Sequence, residues 1–480
     1  MEMDPEPQES SDLLAGKSRV SSNGNARRES GVADAGGPLD GGIRAYAVMV
    51  ASFLTNGLMF GIINSYSVIY PVFEDQLKKN GITNADTRAS LVGSLPLGTL
   101  FFLSPVSGVL TGILGLRLTA VLGGSIATMG LLISSFITHN VDALYFTYGI
   151  MYGLGASFAY TPSLAILGHH FKKYLGLANG IVTVGSPIFT AIMAPLMVHV
   201  LNKYGLGWLF RVLALFTFGI ALCGLLFKPV SVIPKLSKEG DVPKSVIKTI
   251  INVEIWRNKK YKIWALSMPV ALFGYFVPYI HIRKFVEISF TKENFDLPLT
   301  CISVASGLGR LIVGHLADKP GIDRILLQQI SFYVIGTLTI ILPFVKAFWM
   351  LLIIALGMGL FDGAFIALIG PIAFELCGDA YAPQAIGCML GIAAFPLSIG
   401  APIAGYIYSR HESYTLPFVL AGISPLVGAT LMFAVRLHSW GSNRNSSVNG
   451  HVMPVPSPDM EKSPAPLLTS NGNKNQQTTL

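Results

Sequence analysis

The sequence predicts an all-α membrane protein with twelve transmembrane helices in two halves of six. Three observations carry this prediction. First, 51% of the 480 residues are hydrophobic and only 12% are charged, whereas soluble domains carry roughly 25% charged residues. Second, twelve apolar runs are each long enough to cross a membrane, which takes about 20 residues. Third, one long basic stretch separates the first six runs from the last six.

Each helix is predicted from the length and hydropathy of one apolar run. In the first half the predicted helices cover residues 45–72, 89–114, 118–138, 141–168, 175–200 and 207–227. In the second half they cover residues 263–282, 297–317, 325–345, 347–374, 385–408 and 414–435. Gly and Pro are frequent in these runs, as expected where helices approach one another closely and bend.

The polar segments divide the chain into five regions. They predict an N-terminal tail 1–43, a six-helix half 44–227, a basic loop 228–262, a second half 263–436 and a C-terminal tail 437–480. Both tails are polar and predicted to be disordered, and the first has no apolar core of a signal peptide. With the loop in the cytoplasm, 16 Lys and Arg flank inner helix ends and nine flank outer ones. The positive-inside rule therefore predicts that both termini are cytoplasmic.

Composition and motifs also exclude several classes of function. The net charge is +8, but few bases cluster in a way that could track phosphates, so no nucleic-acid partner is expected. The four cysteines lie in apolar segments without CxxC spacing, which supports neither a disulfide framework nor a zinc site. No GxSxG, HExxH or phosphate-binding loop occurs in the helices. We therefore expect neither an enzyme nor a cofactor, and membrane lipids as the surrounding partner.

Two charges lie deep in the predicted membrane. Asp362 is about 14 residues from either end of the tenth helix, and Arg310 lies roughly 12 Å from the cytoplasmic end of the eighth. A lone charge at this depth costs about 2.5 to 3.5 kcal/mol on insertion scales, so the two are expected to face one another. One alternative is an ion pair that only locks the helices. The functional interpretation is that Arg310 binds a substrate carboxylate bidentately while Asp362 orients it or contacts a substrate ammonium.

The seventh helix carries a second group of candidates near its outer end. His281 lies there, and Tyr275, Phe276 and Tyr279 form an aromatic segment around Pro278. This segment could line an outer vestibule, although interfacial aromatics are more often belt residues than ligands. An interfacial histidine without a role is equally compatible with the sequence of this helix.

Several long segments resemble the monocarboxylate transporter family of the major facilitator superfamily. The segments include HHFKKYLGLANG, IWALSMPVALFGYFVPYIH, SGLGRLIVGHLAD, GLFDG, PIAFELCG and QAIGCMLG. The likeness is greatest to the branch that carries thyroid hormones and aromatic amino acids, and it covers about four-fifths of the chain. It implies the two-half fold with a substrate site near the bilayer midplane. It also implies that Arg310 binds the carboxylate, that Asp362 pairs functionally with it, and that His281 lies near the outer vestibule.

The chain departs from the family pattern at a few positions. The first-helix motif appears as DGGIRA, with Ile43, Arg44 and Ala45 in its last three places. Ile63 replaces a histidine to which the close branch assigns ligand contact. The proton-coupled lactate carriers have a lysine in the first helix and an aspartate one turn before the arginine of the eighth.

Those two places hold Asn64 and Ser306 here. Asn64 joins the candidate site residues, and proton-independent facilitated diffusion is favoured. The predicted function is plasma-membrane transport of aromatic amino acids, iodothyronines or both by alternating access. The alternatives are a proton-coupled lactate or pyruvate symporter and a non-transporting sensor. An ancillary single-span glycoprotein is compatible with the sequence but not implied by it.

Overall fold

The computed structural model describes residues 40–81, 85–228, 253–290 and 293–448. Most of the predicted basic loop and nearly all of the predicted tails lie outside these residues. All regular secondary structure in the four described ranges is helical, with no strand in any of them. The residues up to Val435 belong to one compact unit, and a second unit begins at Arg436.

The first half contains six membrane-length helices. They are α1 (Ile43–Val68), α2 (Ala85–Phe102 bent into Ser104–Leu114), α3 (Leu116–Ser134), α4 (Val141–His170), α5 (175–204) and α6 (206–224). The last two form one stretch, Leu175–Gly224, that is broken at Gly205, where φ is 81°. A short helix, Tyr70–Lys79, follows α1.

The second half repeats this arrangement. Its helices are α7 (Lys259–Ser289), α8 (Leu297–Leu316), α9 (Arg324–Phe344), α10 (348–377), α11 (379–411) and α12 (Thr415–Val448). α10 and α11 form one stretch broken at Gly378, where φ is 73°. In the described ranges nine helices are long and apolar enough to span a membrane, and α2 adds a bent pair. When each broken stretch is counted as two spans, the total is twelve, as predicted.

Polar side chains begin several of these helices by capping free backbone N–H groups. Asn140 accepts from the N–H of Ala143 at the start of α4. Asp323 accepts from Ile325 and Leu326 at the start of α9. The first N–H groups of a helix have no intrahelical partner, so these caps fix where the apolar run enters the helix.

Buried aromatic side chains join helices within each half. In the first half Tyr148 stacks on Tyr152 with ring centroids 5.7 Å apart, and the Tyr152 hydroxyl donates to the Met59 carbonyl at 3.1 Å. In the second half the Trp264 indole donates to Gln328 at 2.7 Å. Because no water is present in the hydrocarbon region, such internal partners satisfy polar groups that lipid cannot.

The segment before α1 is fixed to the turn between α4 and α5. The Asp40 carboxylate accepts from the backbone N–H groups of Lys172 and Lys173, both at 2.6 Å. The Asp40 N–H donates to the carbonyl of His170 at 2.9 Å. We call this end of the helical bundle the Asp40 end, and the other the opposite end.

Candidate substrate site

Arg310 lies on α8 at the contact between the two halves. Its side chain is buried, with 6% of the residue exposed, and its Nη1 donates to the backbone carbonyl of Thr183 on α5. That carbonyl would normally accept from the N–H four residues later, but this residue is Pro187, which has none. A proline in α5 therefore creates the acceptor that holds the guanidinium.

The Arg310 guanidinium keeps a hydrogen-bond donor that has no partner in the described part of the protein. Nε is buried and has no hydrogen-bond partner. Buried donors in folded proteins nearly always have an acceptor, so an unpaired one at a candidate site points to a ligand. A guanidinium offers its donors in a fixed planar fork that matches a carboxylate, and here one edge of that fork remains available.

α8 comes close to its neighbours on both sides of this arginine. A Cβ atom at Gly180 of α5 would lie 2.3 Å from the Arg310 carbonyl oxygen. A Cβ atom at Gly363 of α10 would lie 2.0 Å from the carbonyl oxygen of Ser306. Glycine is required at both positions for this close packing, and it places Asp362, the neighbour of Gly363, beside α8.

Asp362 is buried on α10 and is held by two hydroxyl groups. Its Oδ1 accepts from the Tyr275 hydroxyl on α7 and its Oδ2 from the Ser306 hydroxyl on α8. Asp362 and Arg310 are close enough to interact electrostatically, but they do not form an ion pair within 4 Å. The expected direct contact is therefore absent, because Ser306, one turn before Arg310 on the same face of α8, meets the carboxylate instead.

An aromatic cluster formed by three residues of α7 and one of α10 lies next to Asp362. The Tyr275 ring lies 5.3 Å from that of Phe276 and 5.2 Å from that of Tyr279, and it also contacts Phe365 at 5.4 Å. Tyr275 is only 3% exposed, so it lies next to Asp362 instead of lining an open vestibule. Phe276 and Tyr279 are half-buried.

His281 lies apart from this cluster. One of its ring nitrogens, Nε2, is 3.1 Å from the Ala401 carbonyl of α11, and its ring is 5.7 Å from that of Tyr414. Residues two apart on a helix point in different directions, which explains why His281 and Tyr279 do not share a face. The structure therefore brings His281 to α11 and not to Arg310 or Asp362.

Asn64 contributes a polar group from the first half. Its side-chain amide donates to the hydroxyl of Thr190 at 3.2 Å and that of Ser186 at 3.5 Å, both on α5. Asn64 is exposed, whereas its neighbour Ile63 is buried. Thr183, which accepts from Arg310, is one turn of α5 from Ser186, so Asn64 contacts the helix that holds the arginine.

The halves are fastened together at the Asp40 end. Asp318, after α8, accepts from the N–H groups of Gly176 and Leu177 in the first turn of α5, at 2.7 and 2.8 Å. Burial raises the pKa of Asp318, and the two backbone hydrogen bonds partly offset this rise. Across the same end, Lys172 and Asp379 form an ion pair at 3.7 Å. These links and the Arg310 contact with α5 join the two halves at the site and between the site and the Asp40 end.

Sequence reasoning identifies the two charges but misses the groups that hold them. It singles out Ser306 only as the place where lactate carriers have an aspartate, and it does not single out Thr183. Both residues carry a signal in the sequence. Ser306 precedes Arg310 by one helical turn, and Pro187 follows Thr183 by four residues, which leaves a free carbonyl.

Comparisons with known proteins agree with this fold. The sequence profile of the Major Facilitator Superfamily matches residues 48–345 and 285–469. Among solved structures, the human organic anion transporter MFSD10 superposes with a TM-score of 0.66 at 11% identity, over 81% of this chain and 99% of that one. The transporter FucP in its outward conformation gives a TM-score of 0.64 at 13% identity, over 82% and 98%. At these identities the likeness shows the fold alone.

Sequence relatives define the family more closely. Monocarboxylate transporter 10 of Danio rerio is 44% identical over 400 residues, which cover 83% of this chain and 79% of the relative. The Homo sapiens protein of the same name is 42% identical over 420 residues, which cover 84% and 81%. Monocarboxylate transporter 13 of Rattus norvegicus is 26% identical over 405 residues, covering 83% and 90%. This chain therefore belongs to the monocarboxylate transporter family of the major facilitator superfamily.

Proposed function

We propose that this protein is a plasma-membrane transporter that moves aromatic amino acids, iodothyronines or both by facilitated diffusion through alternating access. The observation that carries the proposal is the buried guanidinium of Arg310 between the two halves, which keeps an unpaired donor and lies within electrostatic range of Tyr275 and Tyr279. This arrangement suits a substrate with a carboxylate at one end and an aromatic body at the other.

The substrate carboxylate would bind the free edge of Arg310. Nη1 is already bound to Thr183, so Nε and the adjacent Nη2 are the donors that remain. Charge-assisted hydrogen bonds of this kind are roughly twice as strong as neutral ones and fix the orientation of the carboxylate plane. In this proposal the rings of Phe276 and Tyr279 pack against the aromatic body of the substrate.

The amino group of such a substrate would be attracted to Asp362. That carboxylate keeps lone pairs after accepting from Tyr275 and Ser306, and it lies within electrostatic range of Arg310. A neighbouring anion and cation can bind the zwitterionic end of an amino acid together. Lactate and pyruvate carry no ammonium, so they would use only one member of this pair.

Proton independence is proposed because this chain differs from the proton-coupled lactate carriers at two positions of the site. Ser306 stands where lactate carriers have an aspartate, and Asn64 stands where they have a lysine. These replacements make a proton-coupled monocarboxylate symporter the second candidate and not the first.

The proposed topology places the Asp40 end in the cytoplasm, with both termini there. It rests on the excess of Lys and Arg at that end in the sequence, 16 against nine. In this orientation the structure, with its links at the Asp40 end, corresponds to a state closed to the cytoplasm. Epitope tags on either terminus that stain intact cells would contradict this topology.

An uptake panel tests the function. Labelled tyrosine, tryptophan, triiodothyronine, lactate and pyruvate should be offered to cells expressing the protein, with and without an imposed pH gradient. We expect saturable uptake of the aromatic substrates that the gradient does not concentrate. Concentrative, gradient-driven uptake of lactate would favour the symporter. Absence of counterflow for every substrate would favour a non-transporting sensor.

A further inference from the structure

An apolar groove runs along the surface of the first half between α1 and α6. Its volume is about 400 Å³, and no residue of the second half lines it. The lining residues are Ile43, Tyr46, Ala47, Val50, Ala51, Leu54, Cys223 and Leu226. Several of these side chains are open to the surroundings, with Val50 52% and Leu226 50% exposed. A groove with this lining fits hydrocarbon and offers nothing to a soluble polar ligand.

Two positively charged residues lie where the groove reaches the Asp40 end of the bundle. Arg44 and Lys228 are both exposed, and Nη2 of Arg44 lies 3.5 Å from the Lys228 carbonyl. Neither forms an ion pair with a carboxylate among the described residues. Asp40, the nearest acid in the sequence, already accepts the N–H groups of Lys172 and Lys173. Within the part of the chain that the structure describes, the two charges therefore have no carboxylate counter-ion where the groove ends.

Contacts with neighbouring helices fix the backbone at these two residues. α1 begins at Ile43, so Arg44 is in its first turn, and Lys228 follows the end of α6. The ring of His170 at the end of α4 lies 3.1 Å from the same Lys228 carbonyl. Residues of three helices, α1, α4 and α6, thus meet at the end of the groove that carries Arg44 and Lys228.

We propose that this groove binds an anionic phospholipid, with an acyl chain along the apolar lining and the headgroup phosphate at Arg44 and Lys228. Basic pockets between transmembrane helices are suited to lipid phosphates, and one basic residue contributes about fivefold to binding an anionic membrane surface. The proposal concerns a surface remote from Arg310 and Asp362. It does not depend on the identity of the transported substrate.

The test measures which lipids remain with the full-length protein. It would be reconstituted in phosphatidylcholine vesicles containing one-tenth phosphatidylserine, extracted in mild detergent, and its bound lipids counted by mass spectrometry. We expect phosphatidylserine to be enriched over its share in the vesicles. Arg44→Gln should lower the enrichment about fivefold. Lys203→Gln, a change of an exposed lysine in the last turn of α5, should leave it unchanged.

A second variant separates the acyl chain from the headgroup. Ala47 is exposed in the groove, so Ala47→Phe should fill it without disturbing the core or the two charges. Enrichment should then be lost while the protein elutes as a folded species. Equal retention of both lipids by the wild type would overturn the proposal. Full retention in Ala47→Phe, or displacement of the lipid by inorganic phosphate, would overturn it as well, because either result would show an anion site that does not use the groove.

Discussion

Replacing Arg310 by lysine tests the central feature of the proposed site. The substitution keeps the positive charge but removes the planar fork that binds the Thr183 carbonyl at one edge and leaves Nε free at another. An ammonium group can replace one of these interactions but not both in the same geometry. We therefore expect Arg310→Lys to reach the cell surface and to transport poorly.

The size of the effect follows from the hydrogen bonds that the substitution removes. One hydrogen bond to a charged group is worth about 1.5 to 3 kcal/mol. At 1.4 kcal/mol for each factor of ten, removal of one such bond lowers transport efficiency by about 10- to 150-fold. The lysine would also lose the hydrogen bond that holds the guanidinium against α5. Its ammonium group would then be displaced from the substrate carboxylate, and transport efficiency would fall further.

The assay is initial uptake of labelled tyrosine or triiodothyronine divided by surface abundance from biotinylation. Arg211→Lys is the matched control, because Arg211 packs on the rings of Trp208 and Phe136 at 4.7 and 5.2 Å and lies on α6 away from the site. It should transport normally per surface molecule. Near-normal flux per molecule in Arg310→Lys would remove this residue from the substrate site.

Asp362→Asn extends the same test to the second charge. The substitution keeps the shape between Tyr275 and Ser306 but removes the anion, so flux per surface molecule should again fall. If Arg310 and Asp362 bind one substrate together, the double mutant should be little worse than either single mutant. A purely structural pair would lower surface abundance and leave the flux of each surviving molecule intact.

Three further predictions concern the substrate carboxylate, Asp318 and His169. Methyl esters of aromatic amino acids should be poor substrates, because an ester cannot form a charge pair with Arg310; equal transport of acid and ester, with esterases blocked, would contradict carboxylate recognition. Burial raises the pKa of Asp318, so the closed Asp40 end gains stability as pH falls towards that raised value and loses this contribution as pH rises through it. Flux in vesicles acidified on the Asp40 side should therefore slow for the wild type and stay level for Asp318→Asn. His169 is buried with both ring nitrogens unpartnered, so His169→Leu should raise the free energy of unfolding by about 1 to 3 kcal/mol. His170→Leu should lower it in the same thermal assay, since that ring has a partner in the Lys228 carbonyl.

Hydropathy is sufficient to predict the number of helices, because lipid imposes a minimum length of apolar chain on every crossing. It is less informative about where helices end. The seventh helix is predicted to end at residue 282, whereas α7 continues to Ser289 and includes Arg283, Lys284 and Glu287. Backbone hydrogen bonds can extend a helix beyond its apolar run wherever charged side chains reach a polar surrounding.

The deep charges can also be predicted, because burial of a lone charge in lipid is costly enough to single out Arg310 and Asp362. Their arrangement cannot. Whether two side chains on different helices touch depends on rotation and vertical offset, which hydropathy does not specify. In the structure α10 presents Asp362 to Ser306, one turn from the expected partner, because the backbones meet at Gly363.

The position of Arg310 between the halves also relates binding to movement. Its hydrogen bond with Thr183 joins α8 to α5 in the state closed at the Asp40 end. Opening that end would separate the two helices and deprive the buried guanidinium of its protein acceptor, at the cost of leaving a charged donor unpaired. A carboxylate on the free edge of Arg310 would supply another acceptor and reduce that cost. In the proposed transport cycle, the substrate therefore stabilises the intermediate in which the halves part, and a ligand without a carboxylate would not.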